Sequence, residues 1–465
     1  MTSSSNKGIK LEKQESVFTF GCRLNSSESV AIKDLIKQAG LDGDVLVVNS
    51  CAVTNQTETD IIRFVKKLKK ENPNKKIIFT GCGSQSNPQK YNQIAEIDFL
   101  IGNSEKTNLD VYKAIETQIK TGTSQHFESF VKTEENTNPN TKHQDLIYKK
   151  ESGSQSLVIS QRAIINDIMS VKETAQHLVS YFDGQTRAFV QIQNGCNHRC
   201  TFCIIPFARG NSRSVPLGEI VNQINLLTQN GYKEIVLTGV DITDYGSDLP
   251  SKIRLGTAVK RILDNCPDVL RLRLSSVDVA EIDEDIFWLL KNEPRFMPYF
   301  HISLQSGDDK VLKHMARRHT RADVINFCNK VRDINQDALF GSDIISGFPT
   351  EDEIAFENSL KIIEEADICF NHIFTFSPKK GTPAAKMKQL TNDVKKQRTR
   401  LLIEQDKLQK NKMYSKFANH TFVALTESGG VARAANFAPF KLLTPVKENI
   451  IIKIKTNTKG TAEVI

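Results

Sequence analysis

NGCNHRCTFCIIPFARGNSRS, residues 194–214, follows the alternating segment RAFVQIQ (187–193). The alternation of RAFVQIQ is that of a β-strand. Directly after it, Cys196, Cys200 and Cys203 stand in a CxxxCxxC spacing. Three cysteines bind three irons, whereas a cubane [4Fe-4S] cluster has four, so one iron stays open to an exogenous chelate such as an amino acid's amine and carboxylate. Zinc is the rival ligand for closely spaced cysteines, but its sites take a fourth protein ligand. Here His198 lies inside the loop and the chain has no second CxxC.

Downstream, EIVLTG (234–239), LRLRLSS (270–276), YFHISLQS (299–306), LFGSDIISGFP (339–349) and NHIFTFS (371–377) read as strands alternating with helical stretches. With 187–193 they make six parallel βα units, which predicts a barrel or partial barrel with its functional residues at the carboxyl ends of the strands. The cysteine loop sits at such an end. So do Gly239, Ser275, Gln305 and Asp343, the candidates for lining a cofactor cavity.

The N-terminal third carries a second pattern. VFTF (17–20), DVLVVNS (44–50) and KKIIFTG (75–81) read as short buried strands, and each runs directly into a cysteine: Cys22, Cys51 and Cys82. Helical patterns lie between them, at 28–39 and at 60–70, the latter with Ile61, Val65 and Leu68 on one face. The expectation is an open β-α-β-α-β domain with a parallel sheet, whose loops after the strands open on one edge, where such sheets bind ligands. Three cysteines there make a candidate metal site rather than three small core residues. Gly21 and Gly81 would let backbone approach a cluster closely. The basic face of the second helix, Arg63, Lys66, Lys67, Lys69 and Lys70, reads first as solvated surface and second as an RNA-facing patch.

From about 122 to 181 the periodicity fails in a Ser-, Thr-, Asn- and Gln-rich run, read as a linker. A basic helical stretch at 393–416 precedes FVALT (422–426) and IIIKIKT (450–456), which suggest a small β-barrel. The domain expectation is therefore 14–121, a linker over 122–181, a core over 182–412 and a β module over 413–465. Cys266, Cys328 and Cys369 have no paired spacing and read as core residues. His314 and His319 flank MARR and are expected at the surface or toward RNA, not as ligands.

Composition sets the limits around these motifs. The 465 residues are 39% hydrophobic and 25% charged, in the range of ordinary globular domains. The net charge of +8, from 62 Lys and Arg against 54 Asp and Glu, allows an anionic partner without naming one. No apolar run approaches 18 residues, and the first twenty residues lack the apolar stretch of a secretory signal, so a cytoplasmic protein with no membrane partner is expected. Nine cysteines, an odd number, argue against a disulfide framework in that compartment.

CxxxCxxC after a first barrel strand resembles the radical S-adenosylmethionine (SAM) superfamily. FTFGCRLNSSES, VNSCAVT, TGC and the 194–214 stretch together resemble its methylthiotransferases, and GCRLN and CAVT are most similar to the type acting on threonylcarbamoyladenosine in tRNA. LTGVDITDYG, RLSS, HISLQSGDD, MARRHT and SDIISGFPTEDE also match family stretches. Lys379 and Lys380 stand where an arginine is expected, and Val279 where a proline is.

The resemblance implies a partial (β/α)6 radical SAM core, an auxiliary [4Fe-4S] cluster on Cys22, Cys51 and Cys82, and a SAM-activating cluster on Cys196, Cys200 and Cys203. It further implies SAM held near Gly239, Ser275, Gln305 and Asp343, and a 5′-deoxyadenosyl radical that activates carbon 2 of the adenine. The implied partners are tRNA, an electron donor and a sulfur source, with the protein a monomer. At the C-terminus it implies a TRAM-like RNA-binding module, with Arg433, Lys441, Lys447, Lys453 and Lys455 set to meet phosphates; a capping sheet is the alternative. The rivals are methylthiotransferases acting on isopentenyladenosine or on a ribosomal-protein aspartate, and, from another class, a non-catalytic iron-sulfur sensor or RNA-binding protein. Two three-cysteine sites favour chemistry, since sensing needs only one.

Overall fold

The computed structural model describes residues 15–122, 148–151, 154–157, 162–172, 174, 179 and 185–465. The chain forms two units: one of residues 1–178 with 194–198 and 203–211, the other of 179–193, 199–202 and 212–465. The rest of the expected linker, including most of 123–161, lies outside the described residues.

In the first unit a five-stranded parallel sheet runs in sequence order: β1 (Val17–Thr19), β2 (Val45–Ser50), β3 (Lys76–Gly81), β4 (Phe99–Ile101) and β5 (Ala163–Ile164). Alternation along β2 splits the core into two layers. Val45 and Val47 face α1 (Arg23–Gln38) and α4 (Leu109–Thr121) through Ile32, Ile36, Val111 and Ile115. Leu46 and Val48 face α2 (Asn55–Glu71), which buries Ile61, Val65 and Leu68, about 1.5–3 kcal/mol for each side chain. Thr54 caps α2 by accepting the N–H of Thr57. On its outer face Arg63, Lys66, Lys67 and Lys70 are exposed, while Lys69 bonds Asp98 at 2.9 Å.

Two features depart from the sequence reading. The first helix begins at Arg23 rather than Glu28, which puts Cys22 at its N-cap. Residues 162–170, expected within a linker, belong to the sheet: Ala163 and Ile164 pair with Leu100 and Ile101, and Ile165 and Ile168 are buried beside them. A run of only two strand residues is too short to show a period. Ahead of it, Tyr148–Glu151 and Ser154–Leu157 form an antiparallel ribbon.

The second unit holds six parallel βα repeats. Strands β6 (Arg187–Gln191), β7 (Glu234–Thr238) and β8 (Arg271–Leu274) pair in the order β8-β7-β6. After Ser275 a separate four-stranded parallel sheet follows in the order β9 (Ser276–Val277), β10 (Tyr299–Gln305), β11 (Leu339–Ser346) and β12 (Ile368–Thr375). No pairing joins β6 to β12 among the described residues, so the expected partial barrel is what forms.

The long helix Asn392–Lys416 leads into a closed barrel of β13 (Thr421–Glu427), β14 (Val431–Ala434), β15 (Pro439–Leu442), β16 (Ile451–Thr456) and β17 (Thr461–Val464). Its core of Phe422, Phe440 and Ile454 continues through Met413 and Phe417 to Tyr299, Leu339 and Cys369, which lie near the starts of β10, β11 and β12. The small barrel therefore closes the amino end of the core sheet. Beneath it Glu234 pairs with Arg271 and Arg273, which donate onward to the carbonyls of Arg433, Ala434 and Ala435.

Candidate functional site

In the first unit, register places the cysteines. Ser50 pairs with Gly81 across β2 and β3, so Cys51 and Cys82, each one residue further on, leave the sheet at equivalent positions. Cys22 follows β1, the neighbour of β2, and stands at the N-cap of α1. Two glycines make the approach possible. A Cβ on Gly21 (φ +110°) would lie 2.9 Å from Cys51 Cβ and 3.0 Å from its Sγ; one on Gly81 (φ +98°) would lie 2.4 Å from the Ser50 oxygen. The Val53 N–H reaches Cys51 Sγ at 3.5 Å, and the Asn103 amide reaches Cys82 Sγ at 3.8 Å.

Behind these thiols lies a charged cluster that no sequence motif announced. Glu28 of α1 accepts from Lys106 at 2.5 Å and from Arg209 at 2.8 and 2.9 Å. Arg209 ends the short helix α5 (Ile205–Arg209) and also donates to Asn25 at 2.5 Å and to Asn194 at 3.0 Å. All three charged groups are buried, Lys106 completely. Burial pushes the Glu28 carboxyl up, but the two cations outweigh it and hold it at about 2. Ala208, next to Arg209, packs on Cys82 and Ala52.

Within the 194–214 loop, Cys196, Cys200 and Cys203 are half-buried. Residues 194–198 and 203–211 go with the first unit, where the Cys196 N–H donates to the Gly210 oxygen at 3.1 Å. Cys200 goes with the second unit. There Arg317 Nη1 reaches Cys200 Sγ at 3.6 Å, while its Nη2 donates to Asp278 at 2.7 Å and to the Ser303 oxygen at 3.1 Å. Asp278 also faces His319 Nδ1 at 3.4 Å. Burial raises its carboxyl, but His319 and Arg317 bring it down to about 2. His319 is thus buried behind the site, contrary to the surface position expected for it; His314 is exposed as expected.

The four cavity candidates separate. Gly239 follows β7, and a Cβ there would strike the Gln193 oxygen at 2.8 Å. Ser275 is buried and its hydroxyl has no hydrogen-bond partner among the described residues. Gln305 ends β10 with a left-handed φ of +65°. Asp343 is not at a strand end: β11 pairs with β12 as far as Ser346 and Thr375, leaving Asp343 in mid-strand. Its Oδ1 accepts from both His301 Nε2 and His372 Nδ1 at 3.1 Å, and Tyr299 O–H lies 3.2 Å from the other His301 nitrogen. The ligand-capable atoms of His301, Asp343 and His372 lie within 4.8 Å of one another. Gly341, opposite His301 in register, leaves the room for the Tyr299 hydroxyl beside His301 Nδ1.

Other expectations resolve plainly. Cys266, Cys328 and Cys369 are core thiols, and burial pushes the first two up to about 11 and about 12. Arg433, expected to meet phosphates, is instead bound to Glu427 at 2.7 and 2.8 Å and to the Phe437 oxygen; Lys441, Lys447, Lys453 and Lys455 are exposed. Among the described residues no helix is long and apolar enough to cross a membrane.

Three soft thiolate donors per site, N–H groups directed at sulfur, and a buried hydroxyl without a partner at the carboxyl end of the barrel fit iron-sulfur clusters and a polar ligand. The class defined by this fold and donor set is the radical SAM superfamily, whose family model matches residues 190–363; a second model, described as uncharacterized protein family UPF0004, matches 15–102. A radical SAM methyltransferase, TsrM from Kitasatospora setae, shares the fold at a TM-score of 0.53 and 12% identity, over 77% of this chain and 73% of that one. Threonylcarbamoyladenosine tRNA methylthiotransferase MtaB of Rickettsia prowazekii is 43% identical over 92% of this chain and 91% of its own length, and the Aquifex aeolicus protein of that name is 32% identical over 86% and 89%. The chain belongs to the MtaB family of radical SAM methylthiotransferases. It is an enzyme, a transferase whose cofactors are SAM and [4Fe-4S] clusters.

Proposed function

We propose that the chain transfers a methylthio group to carbon 2 of N6-threonylcarbamoyladenosine in tRNA, at the position beside the anticodon on its 3′ side. The observation that carries the reading is the set of thiols at the ends of three neighbouring parallel strands, two in equivalent register, in a chain that also holds the CxxxCxxC loop. Cys22, Cys51 and Cys82 hold the auxiliary cluster; Cys196, Cys200 and Cys203 hold the cluster that binds SAM. When bound, these groups supply the electron-transfer and radical chemistry that an unactivated aromatic carbon-hydrogen bond requires.

The chain's own residues supply position. Val53 N–H and the Asn103 amide stabilise charge on Cys51 and Cys82. Arg317, clamped by Asp278, does the same for Cys200. Gly239, Ser275 and Gln305 line the SAM cavity at the carboxyl end of the core. Asp343 serves it from deeper in the strand by fixing the two imidazoles. An external electron donor and an external source of sulfur complete the reaction, and the protein works as a monomer in the cytoplasm.

Mass spectrometry of tRNA nucleosides from cells with and without the gene tests the reading. Loss of methylthio-threonylcarbamoyladenosine on deletion and its return on complementation are expected; an unchanged profile in cells without a redundant enzyme rejects the tRNA substrate. With reconstituted protein, Cys200→Ala should abolish reductive SAM cleavage. Cys51→Ala should spare that cleavage and end methylthio transfer, and survival of transfer would break the two-cluster assignment.

A further inference from the structure

Two imidazoles and one carboxylate converge in mid-strand from three neighbouring strands, β10, β11 and β12. Alternation puts them on the inner face of the partial barrel. Phe300 and Phe340 turn outward to Phe327 of the helix Arg321–Ile334, and Asn371 turns outward to Asp406 of the helix Asn392–Lys416. His301, Asp343 and His372 have the opposite parity along their strands and point inward. His301 is 5% exposed, while Asp343 and His372 keep 25% and 28% of their side-chain surface open, so the cluster is within reach of a solute.

The spacing of the donor atoms is that of ligands around one ion. Asp343 Oδ1 lies 3.1 Å from His301 Nε2 and 3.1 Å from His372 Nδ1. Ligands bonded at about 2.1 Å stand roughly 3.0 Å apart across an octahedral right angle and roughly 3.4 Å apart in a tetrahedron, and the observed separations fall between the two. The surroundings match. His301 Nδ1 meets the Tyr299 hydroxyl at 3.2 Å, and the Tyr299 ring is stacked on Phe437 at 4.5 Å, so the imidazole is held from behind with Nε2 turned to the site. Gly341 keeps that contact open, because a Cβ there would strike the Tyr299 hydroxyl. We propose that His301 Nε2, Asp343 and His372 Nδ1 bind a divalent first-row transition ion, in a set of two imidazoles and one carboxylate that leaves further coordination positions open. Loading needs no net proton loss from neutral imidazoles. The proton on His301 Nε2 passes to Nδ1, which then donates to the Tyr299 oxygen, and the proton on His372 Nδ1 passes to Nε2. The site uses no cysteine, so the inference stands apart from the cluster assignments.

The test uses the full-length reconstituted protein with its clusters oxidised, and Mn2+ as the probe, an ion suited to carboxylate rather than thiolate ligands. Free Mn2+ gives a six-line electron paramagnetic resonance signal at room temperature, and binding removes it. About one Mn2+ per chain should bind, and Zn2+, which holds such donor sets more tightly, should release it. Asp343→Asn keeps an oxygen that accepts from both imidazoles but removes the charge, and should weaken binding more than about tenfold; His372→Ala removes a ligand and should weaken it more than about 100-fold. Tyr299→Phe, which touches no ion, should weaken it about tenfold by freeing the His301 ring. Saturating Mn2+ should raise the melting temperature of the parent and leave that of Asp343→Asn unchanged. A merely structural hydrogen-bonded cluster predicts neither effect. A parent that binds no Mn2+ overturns the inference, and so does an Asp343→Asn variant that binds it as the parent does, which marks adventitious binding elsewhere. If His372→Ala fails to fold, Asp343→Asn decides alone.

Discussion

Replacing Glu234 by Gln should destabilise the second unit far more than loss of any surface charge. Glu234 is completely buried; its Oε2 lies 3.0 Å from Arg271 Nε, and its Oε1 3.0 Å from Arg273 Nε. Burial alone would raise the carboxyl, but Arg273 and Arg271 overcome that and lower it from 4.5 to about 2. This is a few-hundredfold change in proton affinity, or about 3 kcal/mol at 1.36 kcal/mol per tenfold. Glu234→Gln keeps the shape and deprives two buried guanidiniums of their carboxylate, for which a loss of ~3–5 kcal/mol is expected.

At ~2–4 °C per kcal/mol for large domains, melting followed by circular dichroism should fall by roughly 6–20 °C. Glu357→Gln is the control, since its pair with Lys361 is exposed and should contribute under ~1 kcal/mol. The pH dependence has a definite sign. Because the folded-state pKa is lowered, the stabilisation is complete above about 4.5 and is lost as pH falls toward about 2. The Gln variant should lack that component of the acid transition. A variant that melts with the Glu357→Gln control, or keeps the parent's acid dependence, would refute the reasoning.

Other expectations follow from the same geometry. Gly81→Ala forces a Cβ to within 2.4 Å of the Ser50 oxygen at φ +98°, so it should cost more than ~1 kcal/mol and lower the iron bound per chain, both measurable after reconstitution. Arg317→Met removes the N–H donor to Cys200 and strands Asp278, so SAM cleavage should fall and the spectrum of the SAM-binding cluster should change, while the Cys22/Cys51/Cys82 cluster keeps its signal. Asp343→Ala takes the shared acceptor from two imidazoles and should lower stability by ~1–3 kcal/mol in a denaturant titration. Cys266, Cys328 and Cys369, whose thiols burial pushes up, should resist iodoacetamide at pH 8 until the protein is unfolded, as peptide mass spectrometry would report.

Much of this protein is written locally along its chain. Six core strands alternate with helices, three N-terminal strands run into cysteines, and Ile61, Val65 and Leu68 mark the inner face of one helix; each pattern depends on neighbours within a few residues, so the sequence alone determines it. The cysteine spacing belongs to the same class, because a three-thiolate loop needs only a few consecutive residues to define it. Only the tertiary structure decided the rest. Glu28, Lys106 and Arg209 are ordinary charged residues far apart in sequence, and nothing local distinguishes them from solvated ones. His301 and His372 meet Asp343 through the register of three parallel strands, and Arg433 turns to Glu427 rather than outward because the barrel seats on the amino end of the core. The physical reason is common to all of them. A backbone period records which face of an element is buried, whereas a buried charge finds its partner only when elements from distant parts of the chain pack together.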